Sequence, residues 1–137
     1  MKILVATDGS ASSMKAVRKA LEIAKREGAK ITLMSVAYYS KDDFDEMWPT
    51  VQDRLEAEAA KALETGKALF DAQGIPVETV LEAGFVPANN IIRRAEEGKF
   101  NEIIMGSTGL KGLKRALMGS TAAKVVAHAP CSVSIIR

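Results

Sequence analysis

GSTGLKGLKRALMGST, residues 106–121, is the stretch around which the rest of the chain is organised. It follows the apolar run IIM at residues 103–105, which is typical of a buried strand, and it leads into an apolar helical pattern that begins at Ala122. A strand, a glycine-rich loop and a helix in this order present backbone N–H groups to a phosphate. Gly106 and Gly109 permit a positive φ or the close approach of a ligand to the main chain.

The second half of this stretch adds positive charge. Gly119 frees the backbone just before Ser120 and Thr121, where the start of a helix contributes a partial positive charge. The cations that lie between the glycines are Lys111, Lys114 and Arg115. Backbone donors together with cations favour a polyanion as the ligand.

The spacing of the glycines is the most specific signal in the chain. Gly106 is followed after two residues by Gly109, and after nine more by Gly119 and Ser120. With this spacing the chain resembles the universal stress protein family, whose nucleotide-binding members carry Gly-x2-Gly-x9-Gly-Ser/Thr. The resemblance runs from ILVATDGS at residues 3–10 to HAPCSV at residues 128–133.

Length and composition favour one ordinary globular domain, which we predict to span residues 1–137. A net charge of +2 is too small to indicate a nucleic-acid binder, and no apolar run approaches the ~18 residues of a membrane span. Met1 and Lys2 precede a strand pattern and not the apolar segment of a signal peptide. Because one cysteine cannot form an internal disulfide, we predict a cytoplasmic protein.

The first half of the chain alternates between strand and helix patterns. Residues 2–7 form a continuous apolar run, as expected of a buried parallel strand. A serine between positions 10 and 13 can cap the following helix, which ends at Gly28, and residues 31–37 form the second strand. The polar stretch 38–48 is the least regular part and is predicted to be a loop.

The alternation continues in the second half. Pro49 suits the first turn of a long helix that ends at Gly74, and Gly66 inside this helix indicates close packing. A third helix is predicted to begin at Pro87 and to end at Gly98.

The strand between these two helices is predicted to have an apolar and a polar side. Val77, Val80 and Leu81 mark the strand, and Glu78 and Glu82 supply its polar side. Charges of this kind would discourage another chain from pairing with that edge of the sheet.

A fourth strand at 101–105, a helix to about His128 and a fifth strand at 133–136 complete the pattern. Alternation of this kind predicts an α/β fold, a doubly wound, Rossmann-like parallel sheet with helices on both faces. The resemblance implies five strands in the order 3-2-1-4-5, which alternation alone cannot select.

The fold rule gives the position of the binding site. In a doubly wound sheet, ligands bind beyond the carboxyl ends of the strands, where the strand order reverses. For the order 3-2-1-4-5, that point lies between strands one and four, so Asp8 and Gly106 would meet there. Asp8 can then accept hydrogen bonds from ribose hydroxyls, its alternative role being that of a turn residue beside Gly9.

The resemblance implies the remaining contacts. In the family, adenine lies between the first two strand ends, against positions that match Ala6, Thr7 and Val36, and the phosphates lie on the glycine loop. We therefore expect ATP, accompanied by Mg²⁺ that offsets its charge. The predicted nucleotide-binding residues are Ala6, Thr7, Asp8, Val36, Met105, Gly106, Gly109, Gly119, Ser120 and Thr121.

Two features depart from the family pattern. Many relatives have His or Arg at the place of Thr108 and Arg at that of Leu110, cations for which Lys111 and Lys114 can compensate. The sequence GFVP at residues 84–87 is one residue longer than the family's Gly-Asp/Glu-Pro and lacks its acid. We expect this change to lie away from the glycine loop.

Catalytic interpretations lack the groups that they need. Neither GxxxxGK[ST] nor GxGxxG occurs, so a P-loop NTPase and an ordinary dinucleotide enzyme lose their support. His128 and Cys131 precede strand five, about 17–20 Å from Ser120 across the sheet, and are predicted to be structural. Acidic residues between positions 42 and 45 could contact a metal, but an exposed charged loop is the simpler interpretation.

We therefore predict an ATP-binding regulatory or signalling module of the stress response, with no catalytic residue and at most slow ATP hydrolysis. One alternative is a stress protein that works without nucleotide, through protein–protein interaction. Another is an enzyme that uses the same cleft for a small molecule.

The last strand predicts a homodimer. Residues 131–136 carry no charge before Arg137, and an open strand edge invites pairing. Two copies could pair through Ser132–Ile136 about a twofold axis, and the resemblance points the same way. Proline at Ser134 is expected to remove an edge donor that this pairing uses.

Overall fold

The computed structural model describes residues 1–39, 50–108 and 118–137. The predicted loop, apart from Tyr38 and Tyr39, lies outside these ranges, as do Pro49 and residues 109–117 with Gly109 and the three loop cations. Within the described ranges, strands and helices alternate as predicted. The elements are β1 Lys2–Ala6, α1 Ala11–Glu27, β2 Lys30–Tyr38, α2 Thr50–Ala72, β3 Glu78–Gly84, α3 Pro87–Glu97, β4 Glu102–Gly106, α4 Ser120–His128 and β5 Ser132–Ile136.

The five strands form one sheet in the order β3-β2-β1-β4-β5. All neighbouring strands are parallel. Ile3 of the central β1 lies opposite Ile31 of β2 on one side and opposite Glu102 of β4 on the other. The α/β fold class and the strand order are both confirmed, and the order reverses between β1 and β4.

The central strand β1 is covered on both faces. Ile3, Leu4 and Val5 are fully buried, which explains the unbroken apolar run in the sequence. Ile3 and Val5 pack among residues of α1 and α2, whereas Leu4 packs among residues of α3 and α4. The sheet is therefore sandwiched between two pairs of helices.

The ends of α1 follow the sequence signals. Ser10 is the N-cap, and its side chain accepts a hydrogen bond from the Ser13 N–H at 3.1 Å. Gly28 ends the helix in the left-handed conformation with φ 70°, and its N–H donates to the Ala24 carbonyl.

The glycine at the end of α3, Gly98, is required for a different reason. Gly98 is not left-handed, since its φ is −82°, and the positive φ of 53° belongs to Lys99. A Cβ on Gly98 would lie 2.5 Å from Cε2 of Phe100, so the aromatic ring occupies the space that a side chain would need. Packing, and not a positive φ, explains this glycine.

Gly66 lets α2 approach the sheet closely. A Cβ at this position would lie 2.9 Å from Cδ1 of Leu33 in β2. The prediction of close packing at Gly66 is confirmed.

The prediction for the two sides of β3 is wrong at Glu82. Glu82 and Val80 are half-buried on the side that faces α3, whereas Leu81 is exposed. The Glu82 side chain is only 12% exposed, and Arg93 and Arg94 of α3 both pair with its carboxylate. Among the described helices, none combines the length and the hydropathy of a membrane span.

Candidate functional site

The segments that follow β1 and β4 meet at the carboxyl edge of the sheet, the side on which the C-terminal ends of the parallel strands lie. Val5 lies opposite Ile104, so the two strands end side by side. Beyond them, the Thr108 N–H donates to Oγ of Ser12, in the first turn of α1, at 3.3 Å. The Asp8 turn and the start of the glycine-rich loop are thereby brought together at the point where the strand order reverses.

Asp8 takes the turn role that we gave as its alternative. Its Oδ1 accepts a hydrogen bond from the Ser10 N–H at 2.9 Å. Gly9 beside it has a φ of 82°, which explains the glycine. This role does not exclude a ribose contact, because a carboxylate has two oxygens and can accept about four hydrogen bonds.

A chain of buried hydroxyls holds the same turn. The Gly9 N–H donates to Oγ1 of Thr7 at 3.3 Å, and Oγ1 of Thr7 lies 3.0 Å from Oγ of Ser13. Because the Ser13 hydroxyl donates to the Ser10 carbonyl at 3.1 Å, the Thr7 hydroxyl is the donor towards Ser13. Thr7 and Ser13 are both 4% exposed. The side chain of Thr7 therefore serves the turn.

One of the two predicted reasons for Gly106, a positive φ, is wrong. Its φ is not positive, and an added Cβ would lie 2.4 Å from Oγ and 2.7 Å from the backbone C and O of Ser12. Helix α1 therefore approaches this glycine closely, which leaves no space for a side chain. Gly119 also has a negative φ of −62°, in extended backbone, so neither glycine is explained by a left-handed conformation.

The N-terminus of α4 is open at the same edge. Gly119 is the N-cap and provides no side-chain hydrogen bond, and the first turn has no acidic residue. Ser120 is exposed and Thr121 is half-buried. The first-turn N–H groups of the helix therefore combine a partial positive charge with accessibility, as an anion site requires.

Three apolar residues of the predicted site belong to the face that α3 and α4 cover. Ala6 and Val36 are half-buried and Met105 is 5% exposed, and all three join the apolar cluster on that face. They lie at the ends of β1, β2 and β4, respectively. Together they form an apolar wall towards the carboxyl ends of these strands.

A cavity that sequence analysis missed lies between the starts of α3 and α4. It has a volume of about 270 Å³ and is lined by Tyr38 and residues 85–88 on one side, and by Ser120, Thr121 and Lys124 on the other. The expectation that residues 84–87 lie away from the glycine loop is therefore wrong. The proximity follows from the arrangement of the helices, because α3 and α4 both begin at the carboxyl edge and cover the same face, and no motif within either helix indicates it.

The family model for the universal stress protein family matches residues 1–137. The chain belongs to the universal stress protein family. A curated relative, universal stress protein MJ0531 of Methanocaldococcus jannaschii, is 34% identical over 139 residues, which cover 99% of this chain and 81% of that protein.

Solved structures agree with this assignment. Universal stress protein UspA from Lactobacillus plantarum has a TM-score of 0.83 at 30% identity, covering 100% of this chain and 97% of that one. A universal stress protein in complex with cAMP has a TM-score of 0.73 at 26% identity, again covering 100% of this chain and 97% of that one.

His128 and Cys131 of this universal stress protein lie away from the cleft. His128 is exposed at the opposite end of α4 from Ser120, about 12 Å away by the helical rise. Burial raises the pKa of the half-buried Cys131 thiol, and the charge of Glu102 raises it further, so the thiol stays protonated at neutral pH. Among the described residues, no group of three or more His, Cys, Asp or Glu side chains could hold a metal.

Proposed function

We propose that this universal stress protein binds an adenine nucleotide, ATP with Mg²⁺, in the cleft between the ends of β1 and β4. The bound nucleotide makes the protein a regulatory or signalling module of the stress response. The observation that carries the proposal is the N-terminus of α4, which has no side-chain cap and lies at the carboxyl edge where the strand order reverses. This is where a fold of this class binds ligands.

The phosphates belong at the first turn of α4. Gly119 is the N-cap that begins this turn, Ser120 and Thr121 supply backbone donors and two hydroxyls, and Lys124 adds a cation one turn further on. Each hydrogen bond to a charged oxygen contributes about 1.5–3 kcal/mol before ordering costs. Gly106 and Gly109 stay in the proposed set, Gly109 lying outside the described residues.

The nucleoside belongs beside the strand ends. Ala6, Val36 and Met105 form the apolar wall for the base, and Asp8 accepts from the ribose. Thr7 offers its main-chain carbonyl, since its N–H donates to the Met34 carbonyl. The relative in complex with cAMP supports an adenine nucleotide as the ligand class.

Mg²⁺ would be held mainly by the nucleotide. Because the described residues contain no cluster of metal-ligating side chains, phosphate oxygens and water would supply its ligands. Asp8 is the carboxylate of the proposed site. We propose at most slow ATP hydrolysis. His128 lies about 12 Å from Ser120, where the phosphates are proposed to bind, and is too far away to act as a general base there.

We further propose that the chain forms one domain over residues 1–137, acts in the cytoplasm and dimerises through Ser132–Ile136. The single cysteine fits a reducing compartment. The edge position of β5 in the sheet supports the dimer.

A charge placed at the start of α4 tests the phosphate site. Ser120→Asp adds a carboxylate in the first helical turn, where it stabilises the helix but repels phosphate. Calorimetry should show ATP binding to the parent and at least about tenfold weaker binding to the variant, with an unchanged or higher melting temperature. Nucleotide extracted with acid from fresh protein identifies the natural ligand.

Gln73→Glu is the matched control. It adds the same charge after the end of α2, at the opposite edge of the sheet, where Lys25 lies 3.1 Å from the side chain. This variant should bind ATP as the parent does. Equal ATP binding by Ser120→Asp and Gln73→Glu would refute the phosphate site.

A further inference from the structure

One peptide group, between Ser107 and Thr108, links the start of α1 to the start of α4. The Ser107 carbonyl accepts a hydrogen bond from the Gly119 N–H at 2.7 Å, and the Thr108 N–H donates to Oγ of Ser12 at 3.3 Å. This carbonyl and this N–H belong to the same peptide bond. Because a peptide group is planar and rigid, the two hydrogen bonds together fix its rotation.

The linked residues occupy defined places in the fold. Ser12 lies in the first turn of α1, and Gly119 is the N-cap of α4. The Ser107 N–H donates to the Ile136 carbonyl at 3.1 Å, which attaches the same residue to β5. The bond to β5 holds Ser107 in place, and the bonds to Ser12 and Gly119 prevent the Ser107–Thr108 peptide from rotating.

The Ser12 hydroxyl is not used to cap its own helix. Ser10 caps α1 through the Ser13 N–H, and the Ser13 hydroxyl donates back to the Ser10 carbonyl. The contact with Gly106, where a Cβ would fall 2.7 Å from the Ser12 backbone, holds the end of β4 against this turn. Ser12 is thereby kept within reach of Thr108.

We propose that Ser12 is a positioning residue for the phosphate-binding turn of α4. Its hydroxyl fixes the Ser107–Thr108 peptide, and this peptide fixes the Gly119 N–H from which the helix starts. Without the hydroxyl, the peptide can rotate and the first-turn donors of α4 lose their alignment. This inference rests on the proposed function, since it concerns the turn to which we assign the phosphates.

Calorimetry with two ligands tests the role in binding. Ser12→Ala should weaken ATP about three- to tenfold, the loss expected for one neutral hydrogen bond. Adenosine, which lacks phosphates, should bind Ser12→Ala within about twofold of its affinity for the parent. Ser12→Thr keeps the hydroxyl and should restore ATP binding, and Thr79→Ala, on the exposed face of β3, should leave it unchanged.

Amide hydrogen exchange of the protein without nucleotide tests the link itself. In Ser12→Ala, the N–H groups of Thr108 and Gly119 should exchange at least about threefold faster than in the parent and in Thr79→Ala. The Ser13 N–H, which Ser10 caps, should exchange at its parent rate.

The two measurements separate the two proposals. A parent that binds neither ATP nor another adenine nucleotide would refute the proposed function, whereas the exchange of Gly119 would still decide whether Ser12 fixes this peptide. Unchanged exchange at Thr108 and Gly119 in Ser12→Ala overturns the inference. So does an ATP affinity of Ser12→Ala equal to that of a binding parent.

Discussion

Gly106 is a glycine because of α1. A side chain there would meet the Ser12 hydroxyl at 2.4 Å and the Ser12 backbone at 2.7 Å. The hydroxyl can rotate away, but the backbone cannot, so β4 or α1 must shift. Gly28 is the opposite case. Its φ of 70° requires the left-handed conformation, and nothing lies within 4 Å of an added Cβ.

We expect Gly106→Ala to lower the free energy of unfolding by about 1–3 kcal/mol, the usual cost of overpacking. Gly28→Asn is the control and should cost less than Gly106→Ala, because asparagine tolerates the left-handed conformation. Urea denaturation of both variants measures these costs. A Gly106→Ala protein as stable as the parent would contradict the packing argument.

At the scale of elements, the sequence predicted the features that depend on burial or on the chemistry of neighbouring residues. The run at β1, a serine cap at the start of α1 and the end of α1 at Gly28 all depend on local chemistry and were predicted, although the sequence left open which serine is the cap. Glu82 was misplaced because its environment comes from α3, about a dozen residues along the chain. The cavity between the starts of α3 and α4 was missed for the same reason, since no pattern within either element indicates the other.

Glu82 joins β3 to α3 through several bonds. Its carboxylate accepts hydrogen bonds from Asn90 at 3.0 Å and from Nε of Arg94 at 2.9 Å, and it pairs with Arg93. Burial raises the pKa of Glu82. The hydrogen bonds from Asn90 and Arg94 and the charges of both arginines together lower the pKa by more than burial raises it, so the net shift is downward. A lowered folded pKa stabilises the protein above the unfolded pKa, and this stability is lost as the pH falls through the folded value.

Glu82→Gln should therefore lower the free energy of unfolding by about 1–3 kcal/mol at pH 7. The difference from the parent should shrink as the pH falls from the ordinary glutamate value of 4.5 through the lower folded pKa. Denaturation by urea across this pH range checks both statements. Glu78→Gln, at an exposed position of the same strand, is the control; a pH-independent gap between Glu82→Gln and the parent would contradict the linkage.

At the scale of the whole molecule, the two sheet edges differ less than the sequence predicted. β3 keeps Glu78 as an exposed charge, but Glu82 is turned towards α3. β5 is half-buried at four of its five positions, with Val133 and Ile135 packed on the face of α3 and α4 and Ile136 on the other face. The proposed dimer therefore depends on the main chain of β5 more than on a contrast in charge.

The main chain of β5 also corrects the expectation for Ser134. The Ile136 carbonyl accepts from the Ser107 N–H, so Ile136 directs its polar groups towards β4. Because these groups alternate along a strand, Ser134 also faces β4, whereas Val133 and Ile135 face the open edge. Ser134→Pro would break the sheet inside the protomer and would not test the dimer.

Val133→Pro is the variant that tests the proposed homodimer. It removes an N–H that we expect to pair with a second copy about a twofold axis, and it leaves the Ser134 N–H towards β4 intact. Val133→Ala loses more of the side chain but keeps the N–H, so it controls for lost packing. In sedimentation velocity at micromolar concentration, the parent and Val133→Ala should be dimers and Val133→Pro a monomer that keeps its circular dichroism. A monomeric parent, or a Val133→Pro protein that still dimerises, would contradict pairing through β5.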